Sequence, residues 1–237
     1  MDDYRIRKIR RAEAFSHTEA YNNLELFETG SWLSKPVKTI MDLVPCFDEY
    51  RQFRGLDLGC GIGRNCIPVI QVLSEIPCLM DCVDILPLAI EKLQANALKY
   101  HVEKFINGIV CAVDEFPIEE NKYDLVLGIS VLEHLNSADT LIRKLNEIRD
   151  GLRRDGIACF VINTSIEEHD KITGIILPAQ FEINMQTNEM VYMLDAVFSG
   201  FEILRCSVVH YKYDIYRESG IVGLDTDVLT YAVRKRK

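Results

Sequence analysis

The sequence of 237 residues lacks the features that define several classes of protein. No apolar stretch approaches the ~20 residues that a membrane-spanning helix needs. The start, Met1-Asp2-Asp3-Tyr4-Arg5, is charged and has no apolar run behind it, so a secretory signal is not expected. The eight cysteines form no CxxC pair, and no Cys/His cluster has zinc spacing. We therefore expect a cytoplasmic protein with reduced thiols and no metal site.

Basic residues are also in short supply. Lys and Arg number 27 against 36 Asp and Glu, which gives a formal net charge of −9. A surface this acidic repels phosphate backbones and anionic lipid heads. Nucleic acid and membranes are therefore not expected as partners, whereas a small molecule is. The oligomeric state has no signal in the sequence.

Short apolar runs alternate with helical patterns from residue 54 onward. Strands are predicted at Gly55–Leu58, Leu79–Ile85, Ile109–Val113, Tyr123–Ile129 and Ile157–Asn163. Helices are predicted between them at Arg64–Ser74, Pro87–Tyr100 and Ala138–Leu152. Such alternation is typical of right-handed βαβ units in a parallel sheet that is covered by helices on both faces.

The two ends of the chain differ from this middle region. Residues 1–50 are predicted to form an N-terminal helical cap, with helices at Ala12–Leu26 and Lys35–Leu43, and residues 51–237 the main domain. The stretch around 165–188 looks irregular and is interpreted as an insertion on the substrate side. A helix is predicted at Glu189–Phe198, and strands at Glu202–Tyr213 and Val228–Arg236 are predicted to pair as an antiparallel hairpin.

The most informative segment is a glycine-rich loop that follows the first strand, Leu56-Asp57-Leu58-Gly59-Cys60-Gly61-Ile62-Gly63. A dinucleotide fingerprint with its first glycine at Gly59 would need another at position 64, which is Arg64. An oxidoreductase that uses NAD is therefore disfavoured. The carboxylate of Asp57 would repel a pyrophosphate, but it suits a cationic amino-acid moiety.

A second carboxylate, Asp84, ends the second strand. A carboxylate at that position can accept hydrogen bonds from two ribose hydroxyls. A nucleoside that carries a cationic amino-acid tail describes S-adenosylmethionine (SAM). The sequence thus predicts a SAM site where the first two strands end.

These segments resemble the motifs of class I SAM-dependent methyltransferases. The likeness covers about residues 54–164 and rests on five segments: Leu56 to Gly63, Val83-Asp84-Ile85, Tyr123 to Gly128, Ser130 to Leu135, and Leu152 to Ile157. The resemblance implies a Rossmann-like α/β fold, with a seven-stranded, mostly parallel sheet, helices on both faces and an antiparallel last strand. It also implies SAM as cofactor and S-adenosylhomocysteine as product.

The resemblance further implies which residues contact the cofactor: Asp57, Gly59, Cys60, Gly61, Gly63, Asp84, Ile85, Ala112, Val113, Asp114, Ser130 and Val131. One position departs from the family pattern. The family often holds the adenine amine with an aspartate four residues before the Leu of a Leu-Pro-Phe-like segment, and Ala112 stands there in this chain. Either Asp114 or the backbone of Ala112 and Val113 makes that contact.

Methyl transfer is an in-line displacement, and a base is needed only when the nucleophile carries a proton of high pKa. His134 is the candidate catalytic base, with a packed or solvated histidine as the alternative. Tyr21, Trp32 and Leu33 of the cap are candidates for covering the cofactor, and Trp32 could instead anchor the core.

The sequence predicts a small-molecule acceptor. The fourth strand ends in Gly128-Ile129-Ser130-Val131 and has neither the Asn/Asp-Pro-Pro-Tyr of adenine and glutamine methylation nor a Pro-Cys pair. Gly30-Ser31-Trp32-Leu33 and the segment from Phe181 to Phe198 are loosely similar to tellurite-resistance-type methyltransferases. A protein methyltransferase and an inactive SAM-binding partner subunit remain as alternatives.

Overall fold

The computed structural model describes residues 3–217 and 220–236. Its helices are α1 (Asp3–Asn23), α2 (Lys38–Leu43), α3 (Cys66–Leu73), α4 (Pro87–Lys99), α5 (Ala138–Gly151) and α6 (Thr187–Val197). Its strands are β1 (Phe53–Leu58), β2 (Cys78–Asp84), β3 (Ile106–Val110), β4 (Tyr123–Ile129), β5 (Leu152–Asp170), β6 (Ile176–Leu177), β7 (Glu202–Arg217) and β8 (Gly220–Arg234).

The strands form one sheet in the order β3-β2-β1-β4-β5-β8-β7, and the two-residue β6 pairs with β5 off this path. The first five strands are parallel, whereas β8 runs antiparallel to both β5 and β7. This confirms the mostly parallel α/β sheet with an antiparallel last strand. From β1 the strands β2 and β3 are added on one side of the sheet, and from β4 onward the strands are added on the other side of β1. Ligands bind at such a switch point, beside the carboxyl ends of the strands.

Helices cover both faces of the sheet and bury its centre. One apolar layer includes Ile67 and Ile70 of α3 with Leu93 of α4. The other includes Leu145 of α5 and Leu194 of α6. β4 lies between the two layers and is buried from its first residue to its sixth, which explains why it reads as a continuous apolar run.

Some predicted bounds are wrong. The first helix begins at Asp3 rather than Ala12, and its amino-terminal half is partly buried, since Ile9 is only 3% exposed. The third strand is Ile106–Val110 rather than Ile109–Val113, so positions 111–114 lie in the loop after it.

The stretch predicted to be irregular at 165–188 is also partly regular. β5 continues to Asp170 because its antiparallel pairing with β8 continues as far as Asp170 opposite Val222. Residues Ile176–Leu177 then add the short strand β6, and α6 begins at Thr187. Only residues 171–175 and 178–186 lack helix or strand.

All eight cysteines are free thiols, and Cys60, Cys66, Cys82 and Cys159 are buried. Across residues 3–217 and 220–236, no group of three or more His, Cys, Asp or Glu side chains is placed to hold a metal ion. None of the helices in those ranges combines the length and the apolar character needed to cross a membrane.

Candidate functional site

The glycine-rich loop leaves β1 at the carboxyl edge of the sheet and is tied to β2. The backbone N–H groups of Gly59 and Cys60 both donate to the carbonyl oxygen of Val83, at 2.8 and 3.0 Å. Gly59, Gly61 and Gly63 have φ values of +69°, +52° and +100°. Side chains rarely tolerate this left-handed region, so glycine is required for the turn.

The same glycines allow two other elements to approach the loop closely. A Cβ atom at Gly59 would lie 2.6 Å from Val131, which follows β4. A Cβ atom at Gly61 would lie 2.7 Å from the hydroxyl of Tyr21 on α1. The loop therefore forms a cradle between the sheet edge and the amino-terminal helix.

Asp84 ends β2 beside this cradle and is 8% exposed. One carboxylate oxygen accepts a hydrogen bond from the N–H of Gly61, and the other accepts one from the N–H of Leu86, both at 2.9 Å. Burial raises the pKa of Asp84, although these two bonds work against the shift. The neighbouring Ile85 is 49% exposed, so its side chain offers an apolar surface next to the carboxylate.

Asp57 is the most isolated charge at the site. It is 1% exposed and lies in the sheet between Cys82 of β2 and Leu127 of β4. Neither carboxylate oxygen has a hydrogen-bonding nitrogen or oxygen partner in the part of the chain that the structure describes. Burial raises its pKa to about 7; the neighbouring Cys66 works against the shift, and the charge of Asp84 adds to it. A buried carboxylate without partners fits a site for a cation.

The loop after β3 holds the candidate adenine contacts. Cys111 donates its N–H to the carbonyl oxygen of Asp84 at 3.0 Å, which places the loop directly beside the end of β2. Asp114 accepts hydrogen bonds from Asn136 and, at 3.5 Å, from Arg10 of α1. Both candidates for the adenine contact, Asp114 and the backbone of Ala112 and Val113, therefore lie next to the cradle.

His134 lies in a short 3-10 turn after β4. Its Nδ1 is 3.0 Å from Oε2 of Glu182, and its ring stacks on Phe181 at 5.1 Å between centroids. Burial alone would lower the pKa of His134, but the bond to Glu182 and the charge of Glu13 outweigh it and raise the pKa to about 9. An imidazole that is protonated at neutral pH has no free electron pair, so this arrangement disfavours the predicted role as a general base.

A buried ionic cluster closes the same side of the site. Arg217, at the end of β7, is 6% exposed and bonds Glu13 of α1 and, at 2.6 Å, Glu168 of β5. Its guanidinium lies 5.8 Å from the ring centroid of Phe181. The buried region where His134, Phe181, Arg217 and the inner face of α1 meet is called the chamber.

The basic amino-terminal half of α1 covers this chamber. Arg10 lies 3.7 Å from the Glu182 carboxylate. The exposed Arg5 donates to the carbonyl oxygen of Phe181 at 2.8 Å. The helix is thus bonded both to the segment before α6 and, through Arg10 and Asp114, to the loop after β3.

Tyr21 and Trp32 turn out to have different environments. Tyr21 is 5% exposed against the cradle, whereas Trp32 is 47% exposed. The two rings lie 6.3 Å apart, and the guanidinium of Arg64 lies 5.7 Å from the Trp32 ring centroid. Tyr21 therefore covers the glycine loop. Trp32 packs against Tyr21 and Arg64 at the protein surface and does not anchor the core.

The structure brings most of the predicted site residues to one edge of the sheet. Ser130 is exposed there, with φ +50°, and Val131 packs on Gly59. Sequence reasoning missed Glu13, Glu182 and Arg217, which come from three distant segments. One signal was available for the first of them, since Glu13, His17 and Tyr21 recur every four residues and so share a face of α1.

Residues 56–158 match the family described as "Methyltransferase domain". The matched region contains the glycine loop, Asp84, the loop after β3 and His134. This region is a class I SAM-dependent methyltransferase domain. SAM is therefore its cofactor, and the isolated Asp57 carboxylate and the glycine cradle fit that cationic molecule.

Two curated relatives align with parts of the chain. A human tRNA N(3)-cytidine methyltransferase, METTL2B, is 26% identical over 50% of this chain and 32% of its own length. Ajmaline N-methyltransferase from Rauvolfia serpentina is 29% identical over 45% of this chain and 38% of its own. The chain thus aligns with about a third of the length of these relatives.

Solved structures share the fold at low sequence identity. The [4+2]-cyclase SpnF superposes with a TM-score of 0.61 at 13% identity and covers 96% of each chain. TehB from Haemophilus influenzae gives 0.60 at 19% identity, over 82% of this chain and 62% of that one. Geranyl diphosphate methyltransferase in complex with SAM gives 0.54 at 13% identity, over 84% of each chain.

Proposed function

We propose that the protein transfers the methyl group of SAM to a small molecule and releases S-adenosylhomocysteine. The observation that carries the acceptor class is the burial of polar groups beneath α1, beside the glycine cradle. These groups include Glu182, 3% exposed, and Arg217, 6% exposed. A compact metabolite reaches polar groups that are buried in this way more readily than a polymer does.

SAM supplies an electrophilic methyl group on a positively charged sulfur atom. Asp84 would hold the ribose hydroxyls, and the loop after β3 would hold the adenine. The cradle of Gly59, Gly61 and Gly63 would admit the amino-acid part close to the backbone, with Ser130 and Val131 beside it. The contribution of these residues is to position the methyl group, because the leaving group is already activated.

Two alternative acceptor classes have less support. The tRNA methyltransferase relative favours RNA, but the net charge of −9 opposes binding a polyanion, whereas the ajmaline enzyme acts on a small molecule by its name. A protein acceptor would need a polypeptide segment to reach beneath α1. The likeness to tellurite-resistance-type enzymes stays a prediction about the subfamily.

Cofactor binding is tested by thermal unfolding with SAM, S-adenosylhomocysteine, NADH and ATP. A ligand at 100 times its Kd stabilises a protein by about 2.7 kcal/mol, or roughly 5–11 °C in Tm at this size. We expect a rise of that order with SAM and S-adenosylhomocysteine only. A rise with NADH alone would refute the proposed function.

The acceptor class is tested by incubating cell lysate with the protein and SAM that carries a radioactive methyl group. We expect label in the low-molecular-weight filtrate. Label in polypeptide or in RNA would instead identify a macromolecular acceptor. Cofactor binding with no label in any fraction would support the inactive partner subunit.

Asp84→Ala should weaken SAM binding by about 1–3 kcal/mol, because two charge-assisted hydrogen bonds to the ribose would be lost. Isothermal titration measures this directly. The matched control is Asp48→Ala, which removes an exposed carboxylate and should leave the Kd unchanged. An unchanged affinity in Asp84→Ala would remove this residue from the cofactor site.

A further inference from the structure

One side-chain oxygen in the acceptor region has no partner. Glu133 is completely buried, and its Oε1 accepts hydrogen bonds from the backbone N–H of Asn163 at 3.1 Å and from its side-chain amide at 2.6 Å. Its Oε2 has no hydrogen-bond partner in residues 3–217 and 220–236. Buried polar atoms are nearly always paired, so an isolated carboxylate oxygen points to a missing donor.

Glu133 lies between the cofactor cradle and the wall of the chamber. Val131, two residues earlier, contacts the Gly59 position of the loop. The carbonyl oxygen of Glu133 accepts the N–H of Ile183 at 2.9 Å, which links it to the segment that carries Phe181. Burial and the charge of Glu133 raise the pKa of Tyr213 on β7 to about 12.

The charges around the chamber favour a ligand whose hydrogen-bond donor group is neutral or positively charged. The two terminal nitrogens of Arg217 bond two carboxylates, and His134 is bonded to Glu182. The buried and half-buried groups comprise five carboxylates against three cations: Glu13, Asp114, Glu133, Glu168 and Glu182 against Arg10, His134 and Arg217. An anionic acceptor would be repelled here, because like charges interact strongly where water is excluded.

We propose that the methyl acceptor is an amine and that Oε2 of Glu133 binds its N–H group. This inference rests on the proposed function. The amine nitrogen forms a bond to the methyl carbon with its electron pair, and the carbon–sulfur bond breaks with its pair left on sulfur. The nitrogen gives up one proton to Oε2, and water later removes it. His134 keeps its own proton throughout and only lines the site.

Binding is tested first, without turnover, on protein loaded with S-adenosylhomocysteine. Benzylamine, benzyl alcohol and benzoate share a ring and differ in the polar group, and each is titrated while Tm is measured. A wider set of primary and secondary amines, aliphatic and aromatic, follows at 10 mM. We expect amines to raise Tm, and benzoate and benzyl alcohol to have no effect.

Glu133→Gln is the decisive variant. A glutamine carbonyl can still accept from Asn163, but its NH2 group would replace Oε2 and face the amine N–H. We expect amine affinity, and methyl transfer to the same amine, to fall by about 10- to 100-fold, with the Kd of S-adenosylhomocysteine unchanged. Glu133→Asp, which keeps a carboxylate, should recover part of the amine affinity. Glu25→Gln, the same change on an exposed loop, is the control.

The outcomes separate this inference from the proposed function. If the protein binds neither SAM nor S-adenosylhomocysteine, the proposed function fails. If it binds the cofactor but no amine, or binds benzoate better than benzylamine, only the amine acceptor is overturned. An amine affinity that is unchanged in Glu133→Gln would also overturn it.

Discussion

Asp57→Asn should remove a large part of the pH dependence of stability. The pKa of Asp57 is about 7 in the folded chain, against an ordinary value of 3.8. The folded state therefore holds a proton that the unfolded state releases, so its contribution to stability is complete below pH 3.8 and is lost as pH rises to 7. Between pH 5 and pH 8 this loss amounts to about 2.7 kcal/mol. The asparagine side chain does not titrate, so the variant should not show it.

Urea denaturation of the cofactor-free protein at pH 5 and pH 8 measures the effect. The difference in unfolding free energy between the two pH values is compared for the two proteins, because all other titrating groups contribute equally to both. Asp139→Asn, at an exposed position in the first turn of α5, provides a control that should match the parent protein. Equal pH dependence in Asp57→Asn would show that this carboxylate has an ordinary pKa.

Asp57→Asn should stabilise the cofactor-free protein at pH 8 but weaken its binding of SAM. SAM carries positive charge, and a buried carboxylate without partners becomes favourable once a cation is near. Asp57→Asn is therefore expected to bind SAM more weakly while its cofactor-free form is more stable at pH 8. Residues at ligand sites often lower the stability of the ligand-free protein while they favour binding of the ligand.

The cofactor side was predictable because its signals are local. A strand, an acid and three glycines follow one another within Leu56–Gly63, and each glycine meets a backbone requirement that neighbouring residues impose. The strand predicted at Tyr123–Ile129 is confirmed residue for residue. A strand that is buried on both faces is mostly apolar along its whole length, so its ends are marked where the apolar run ends.

The buried ionic cluster around Arg217 was not predictable, because its contacts join distant segments. Glu13 and Arg217 are bonded although more than 200 residues separate them, and no spacing in the sequence relates them. Glu182 belongs to a stretch without periodicity, where neither helix nor strand pattern shows which way a side chain points. His134 could be singled out by its motif, but only the position of Glu182 reveals its charge.

Arg217→Gln should strongly lower the free energy of unfolding, because it removes the cation from a buried ionic cluster. It would leave Glu13 and Glu168 in a largely dry cluster without their cation, and Glu168 is only 1% exposed. Breaking a buried pair by removing one partner costs about 3–5 kcal/mol, because the remaining charge is uncompensated. The loss is measured as the change in unfolding free energy in urea at pH 7.

A matched control distinguishes the loss of this buried cation from the loss of an exposed ion pair. Arg143 forms an i, i+4 pair with Glu147 on the surface of α5, with 52% of its side chain exposed. Arg143→Gln should cost no more than about 1 kcal/mol, because water already solvates both charges. Adding Glu168→Gln to Arg217→Gln should recover part of the lost stability, since one of the two stranded carboxylates is then neutral. If the Arg217 and Arg143 variants lose equal stability, the cluster is no better shielded than the surface. α1 would then not be closing the chamber.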